Sequence, residues 1–87
     1  MIDTDLLESF LAVAEERNFT FAAARMGLTQ STISQHIRRL ETQLGHQLFQ
    51  RSTHRVALLP EGGRFLPHAR RILSAIGDAE RDMTTPG

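Results

Sequence analysis

Residues 20–44 read TFAAARMGLTQSTISQHIRRLETQL and hold the most informative pattern in the chain. The pattern predicts a short helix, a turn after Gly27 and a second helix. In the second helix, apolar residues recur at steps of four, three and four and therefore share one face: Ile33, Ile37, Leu40 and Leu44. The opposite face carries hydrogen-bonding side chains instead of the Glu/Lys mixture of a solvated helix: Ser31, Ser34, Gln35, Arg38 and Thr42. This arrangement is typical of a helix-turn-helix that lies in the major groove of DNA.

The residues at the helix ends agree with that interpretation. Thr20 is a good N-cap for the first of the two helices, and Thr29 is a good N-cap for the second. Gly27 and Gly45 fit the positions just after each helix, where a left-handed backbone is required. We therefore expect the turn between the helices to be tight.

Side chains near the start of the second helix are candidate DNA contacts. Its first turn, where free N–H groups and the helix dipole attract phosphate, contains Gln30, Ser31 and Thr32. Residues on the exposed face can meet base edges, because Gln pairs with adenine and Arg with guanine: Ser31, Ser34, Gln35 and Arg38. The alternative is an ordinary solvated helix face.

The flanking sequence predicts a scaffold helix before this segment and a hairpin after it. The scaffold helix covers about residues 4–17 and buries a stripe that includes Leu6, Leu7 and Phe10. Residues 51–58 suit a hairpin with its tip at 52–54. A hairpin in this place is a wing, so Arg55 is a candidate for the minor groove and His54 for a phosphate. The alternative is a hairpin that only covers the core.

Residues 60–83 predict one long helix, in which Pro67 could introduce a kink. Apolar residues of this helix recur with a heptad period and form one seam: Phe65, Ala69, Ile72, Ile76, Ala79 and Met83. Leu73 widens the seam. We predict that the seam pairs with the same seam of a second copy of the chain. The alternative is packing of the seam against its own domain. Residues 84–87 (TTPG) break the helix and predict a hinge or an artificial chain end.

The charge is segregated although the formal net charge is zero. Residues 1–16 carry five acidic residues and no arginine, whereas residues 17–71 carry nine arginines and two acidic residues. All ten basic residues are arginine, which suits forked contacts to phosphate and guanine, although a GC-rich genome would also explain the choice. A basic middle segment favours a nucleic-acid partner.

Several function classes are excluded by the composition. The chain has no cysteine, and its four histidines form neither an acid/base pair nor a metal-ligand cluster, so we predict no enzyme, no metal and no cofactor. No apolar run approaches the roughly 18–20 residues that span a bilayer, so we expect a soluble, cytoplasmic protein with no membrane partner. A protein–protein docking module is the remaining alternative.

The run AAARMGLTQSTISQHIRRLETQLGHQLFQR resembles the N-terminal signature of LysR-type transcriptional regulators. The shared elements include the alanine pair, the Leu28-Thr29-Gln30 tripeptide, the leucine-rich segment 37–45 that ends in Gly45, and Leu48-Phe49-x-Arg51. The resemblance continues through Arg55 and residues 60–62 and covers about residues 5–82.

This resemblance implies a mainly α fold, a winged helix-turn-helix of three helices and a small β-hairpin wing, followed by a long linker helix that pairs antiparallel in a dimer. Such bacterial proteins bind interrupted inverted repeats in double-stranded DNA as homodimers and tetramers. Carried over by position, the major-groove and adjacent phosphate contacts would be Gln30, Ser31, Ser34 and Gln35. Arg55 would be the minor-groove contact, and Thr20 and Arg38 would contact the DNA backbone.

Two departures from the family pattern matter. The family often has proline where Ser31 stands, and usually has threonine capping the linker helix where Leu59 stands. We divide the chain into a DNA-binding domain at residues 1–59, a linker or dimerisation helix at 60–83 and the terminal segment 84–87. The effector-binding domain of the family would follow, so we expect a piece of a longer regulator, with a naturally short protein as the alternative.

Overall fold

The computed structural model describes residues 1–52 and 55–86, which form four helices and one two-stranded hairpin. In chain order the elements are α1 (Thr4–Glu16), α2 (Phe19–Met26), α3 (Gln30–Leu44), β1 (Phe49–Arg51), β2 (Val56–Leu58) and α4 (Pro60–Thr84). The predicted fold class is therefore confirmed.

The turn between α2 and α3 has the predicted caps. Gly27 adopts φ 68° and Gly45 adopts φ 73°, conformations that a residue with a side chain rarely takes. The Leu28 N–H donates to the Ala23 carbonyl at 3.0 Å, which closes α2. The Thr29 hydroxyl oxygen accepts the Thr32 N–H at 3.1 Å, which opens α3. Both helix ends at this turn are thus fixed by local hydrogen bonds.

The predicted N-cap of α2 was wrong. Asn18, not Thr20, caps the helix, because its side-chain oxygen accepts the Phe21 N–H at 2.8 Å. Thr20 lies in the first turn of α2 and is exposed. Helix α1 ends at Glu16, one residue earlier than predicted, since Arg17 turns into the left-handed region at φ 55°.

The core lies where α1, α2 and α3 meet the hairpin and the start of α4. Phe10 is fully buried at its centre, with ring centroids 5.3 Å from Phe49 and 5.2 Å from Phe65. Burial of each large apolar side chain contributes about 1.5–3 kcal/mol. The apolar face of α3 belongs to this core through Ile33, Ile37 and Leu40, all of which are fully buried.

The hairpin closes the core against α1 and α4. Strand β1 pairs antiparallel with β2, with Phe49 opposite Leu58 and Arg51 opposite Val56. Thr53 and His54, at the predicted tip, lie outside the described residues. The hairpin is fixed to the next helix as well, because the Leu59 N–H donates to the Leu48 carbonyl at 2.9 Å.

The first half of helix α4 packs into the core of its own domain, whereas the second half extends beyond it. The predicted dimerisation seam is therefore corrected in its first half. Ala69 is fully buried within its own chain, and Phe65 packs edge-on against Phe10, so both belong to the domain core. The heptad period could not distinguish this packing from packing against a partner. Helix α4 starts at Pro60 without a side-chain cap from Leu59, and it continues as one helix past Pro67.

Candidate nucleic-acid interface

The face of α3 opposite the core is polar and open to solvent. Three of the predicted contacts on it are exposed, namely Ser31, Gln35 and Arg38, and Ser34 beside them is half-buried. The backbone of α3 is held rigidly by three fully buried apolar residues behind it: Ile33, Ile37 and Leu40. This arrangement presents hydrogen-bonding side chains from a rigid element, as base recognition in the major groove requires.

The first turn of α3 has an uneven distribution of hydrogen bonds. The Thr32 N–H is bonded to the Thr29 hydroxyl oxygen, and the Thr32 hydroxyl accepts from Thr29 at 2.9 Å. The N–H groups of Gln30 and Ser31 precede the helical ladder and point out of the helix end. Thr32 is therefore occupied by the cap, whereas Gln30 and Ser31 offer donors to an anion.

Two side-chain contacts tie α3 to α1. The fully buried Ser9 hydroxyl lies 2.7 Å from Nδ1 of His36, which is half-buried. One helical turn further on, Arg39 lies 3.7 Å from an Asp3 carboxylate oxygen. Both contacts fall on the same flank of α3, since His36 and Arg39 are three residues apart. The part-buried contact between Ser9 and His36 fixes how α3 packs on α1, whereas the Arg39 pair is solvent-exposed and adds little.

The wing is held to α3 by a group that the sequence analysis missed. A Glu41 carboxylate oxygen accepts the Leu48 N–H at 2.8 Å, and the other oxygen lies 3.3 Å from the Arg51 guanidinium. Arg51 also lies over the Phe19 ring, 5.5 Å from its centroid. Glu41 is one of only two acidic residues in the arginine-rich segment 17–71. A rare acidic residue among arginines could have indicated an ion pair with one of them.

Arg55 is exposed at the end of the hairpin, as predicted. Its backbone is fixed by Ser52, whose N–H donates to the Arg55 carbonyl at 3.1 Å and whose hydroxyl oxygen accepts the Arg55 N–H at 3.2 Å. The base of the side chain is therefore positioned while the guanidinium reaches into solvent.

Some arginines are committed to ion pairs away from this surface. Arg25 of α2 lies 2.7 Å from Glu15 and 3.3 Å from Glu16 at the end of α1. The hydrogen bond that Arg25 donates to Glu15, together with the charges of both carboxylates, raises the pKa of the Arg25 guanidinium. Arg70 reaches the same Glu15 at 3.6 Å. These pairs connect α1, α2 and α4.

The distal half of α4 leaves apolar side chains uncovered. Ile72 is 43% exposed, Ile76 is 38% exposed and Met83 is 80% exposed. Leu73 is half-buried against the core, and Ala79 is exposed. The predicted seam is thus open to solvent from Ile72 onward, in contrast to Phe65 and Ala69.

Within residues 1–52 and 55–86 no three His, Asp or Glu side chains are grouped in a way that could hold a metal ion. Over the same ranges no helix has the length and hydropathy needed to cross a membrane.

Comparison with known proteins identifies relatives along most of the chain. Residues 4–63 match the lysR family of bacterial regulatory helix-turn-helix proteins. The chain is 56% identical over 69 residues to the HTH-type transcriptional regulator ShiR of Corynebacterium glutamicum, a match that covers 79% of this chain and 23% of ShiR. The chain therefore spans about a quarter of the length of that relative.

Solved structures show the same fold. The DNA-binding domain of CbnR, in a complex with DNA, superposes with a TM-score of 0.86 at 36% identity, covering 95% of this chain and 99% of that one. The BenM DNA-binding domain, in a complex with catB site 1 DNA, gives a TM-score of 0.85 at 38% identity, covering 94% and 91%.

Proposed function

Because this chain belongs to the lysR family of bacterial regulatory helix-turn-helix proteins, we propose that it binds double-stranded DNA sequence-specifically as a homodimer. Its role is transcriptional regulation in the bacterial cytoplasm, not catalysis. The relatives are named as transcriptional regulators, and the solved relatives BenM and CbnR were captured on DNA.

The observation that carries the proposal is the division of α3 into two faces. Ile33, Ile37 and Leu40 are fully buried, and the opposite face exposes Ser31, Gln35 and Arg38. A helix held in this way can enter the major groove, where Gln35 and Arg38 find acceptors and donors on base edges and on the DNA backbone.

Other residues take supporting roles at the DNA backbone and in the minor groove. Gln30 and Ser31 bind a phosphate at the start of α3 through their N–H groups, and Ser34 makes an adjacent contact. Thr20, exposed in the first turn of α2, contacts the DNA backbone nearby. The Thr32 hydroxyl accepts from Thr29 and keeps its own proton to donate to a phosphate. Arg55 enters the minor groove, where a narrow A·T tract concentrates negative potential. His54 is a second candidate for a phosphate from the wing.

The dimer forms through the distal half of α4. The exposed side chains of Ile72, Ile76, Ala79 and Met83 supply the apolar surface, and Leu73 borders it. An antiparallel pair of these helices would place two copies of α3 on one face of the duplex, so the binding site is an inverted repeat. Tetramers belong to the full-length regulator.

We accordingly assign residues 1–59 to the DNA-binding domain, residues 60–83 to the linker helix and residues 84–87 to a hinge. The first half of the linker helix also completes the domain core through Phe65 and Ala69. The segment 1–59 alone is therefore expected to be less stable than the whole chain.

Titration of a mixed-sequence duplex at several salt concentrations tests DNA binding against the alternative of protein docking. Each phosphate contact releases counterions, so the logarithm of the association constant should fall steeply and linearly with the logarithm of salt concentration. An absence of binding at low salt would refute the proposal and favour a docking module.

A further inference from the structure

The contact between Ser9 and His36 fixes the orientation of a ring that has a second, unassigned nitrogen. Ser9 is fully buried in α1, and its hydroxyl lies 2.7 Å from Nδ1 of His36. His36 is half-buried. Nδ1 is therefore the edge of the imidazole that meets α1. No buried side-chain nitrogen of the described residues lacks a hydrogen-bond partner, so Nε2, on the other side of the half-buried ring, forms the outer edge that solvent reaches.

The position of His36 on α3 brings that outer edge to the side of the major-groove face. At about 100° per residue, His36 lies between the buried Ile33 and Ile37 row and the exposed row of Gln35. It shares this flank with Arg39, which is exposed. A helix in the major groove, about 12 Å wide, has a phosphate backbone along each flank.

We propose that His36 is a further DNA-contacting residue, whose Nε2–H donates to a backbone phosphate, and that Ser9 is the positioning residue that selects this tautomer. When the Ser9 hydroxyl donates to Nδ1, the neutral ring must carry its proton on Nε2. The outward nitrogen is then a donor, as an anionic phosphate oxygen requires. This inference rests on the proposed DNA binding.

The alternative is that the contact only satisfies a buried serine between two helices. Two substitutions separate these roles, because an amide group can replace either nitrogen of the ring. In His36→Asn the side-chain amide occupies the place of Nδ1, so the Ser9 contact is kept and the outer donor is lost. In His36→Gln the amide reaches the place of Nε2, so the outer donor is kept and the Ser9 contact is lost.

The test measures the affinity of the wild type and both variants for one mixed-sequence duplex of about 30 base pairs at low salt, with thermal unfolding of each variant alongside. His36→Asn loses one hydrogen bond to phosphate and should therefore bind the duplex about fivefold more weakly than the wild type. Its unfolding temperature should stay near that of the wild type. His36→Gln should bind within about twofold of the wild type although it loses thermal stability.

The outcomes distinguish a failure of the proposed His36 contact from a failure of the proposed DNA binding. Equal binding by wild type and His36→Asn would show that His36 is a structural residue only, with DNA binding intact. No binding by the wild type would overturn both. If His36→Asn does not fold, nitrogen NMR of the wild-type ring decides. The Nε2-protonated tautomer with an Nε2 resonance that moves on addition of the duplex is expected, and an Nδ1-protonated ring or an unmoved Nε2 resonance would overturn the inference.

Discussion

Gln35 is the residue whose chemistry is most directly tied to base recognition. It is exposed on α3, opposite the buried Ile33, and its amide can bond both N6 and N7 of adenine. Gln35→Ala should therefore cost about 1–3 kcal/mol on the preferred operator and broaden the base preference at one position of each half-site. Binding titrations on the operator and on its single-base variants measure this.

Gln43→Ala is the matched control, because Gln43 is exposed on the same helix and outside the proposed contacts. It should leave affinity and base preference unchanged. Equal losses for Gln35→Ala on operator and random DNA would instead identify Gln35 as a backbone contact.

The proposed role of Arg55 is recognition of the shape of DNA, through the width of the minor groove, more than of its bases. Its backbone is fixed by Ser52, and its side chain is exposed beside the wing tip. Arg55→Ala should weaken binding most where A·T-rich flanks narrow the minor groove, and least where the flanks are G·C-rich. Competition between duplexes that differ only in their flanks measures the effect, with Arg64→Ala in α4 as a control. A uniform loss on all flanks would assign Arg55 to a phosphate.

Single residues also show what sequence patterns could not decide. Both Asn18 and Thr20 are favourable N-caps, and their choice depends on how the left-handed Arg17 directs the chain into α2. The contact between Ser9 and His36 joins residues 27 positions apart, and local patterns do not report such pairs. By contrast Thr29, Gly27 and Gly45 were predictable, because their roles follow from backbone geometry within a few residues.

At the scale of elements, the junction between the hairpin and α4 is closely packed. A Cβ atom on Gly62 would overlap the Leu48 carbonyl oxygen and lie 2.7 Å from Cδ2 of Leu58, whereas one on Gly63 would meet nothing within 4 Å. Gly62→Ala should therefore destabilise the fold by about 1–3 kcal/mol. Gly63→Ala, one residue further on in the same helix, should stabilise it by up to about 1 kcal/mol.

Urea unfolding of the two variants measures this difference directly. The comparison is controlled internally, because both substitutions add one methyl group to the same turn of α4. Equal stability of Gly62→Ala and Gly63→Ala would mean that the hairpin does not pack against α4 as described.

Glu41 connects the elements that would touch DNA. It receives the Leu48 N–H and the Arg51 guanidinium, and Arg51 in turn lies over Phe19 of α2. These contacts join the wing to α2 and α3, so that insertion of α3 into a major groove would also set the approach of Arg55. The sequence predicted each of these elements, but not the side chains that join them, because the joining contacts depend on the tertiary fold.

At the scale of the whole molecule, α4 extends beyond the core it helps to form. Its heptad seam was predicted as one surface, yet Phe65 and Ala69 pack inward and only the part from Ile72 onward is exposed. Apolar periodicity specifies the face of a helix that is buried. It does not specify whether the same chain or a second copy covers that face.

Ile72→Asp tests the proposed dimer. A carboxylate in an apolar seam is costly to bury, so the variant should sediment as a monomer at concentrations where the wild type is a dimer. Ser74→Asp adds the same charge to an exposed position two residues away and should leave the dimer intact. A dimeric Ile72→Asp protein would place the interface elsewhere.

Selection of bound genomic DNA fragments, repeated at two salt concentrations, tests most directly whether this chain is a dimeric reader of DNA sequence. We predict enrichment of two inverted half-sites, one helical turn or more apart, with total binding that falls as salt rises. Salt-sensitive binding that enriches no motif would contradict the assignment of base recognition to α3, and would leave the chain with phosphate contacts alone.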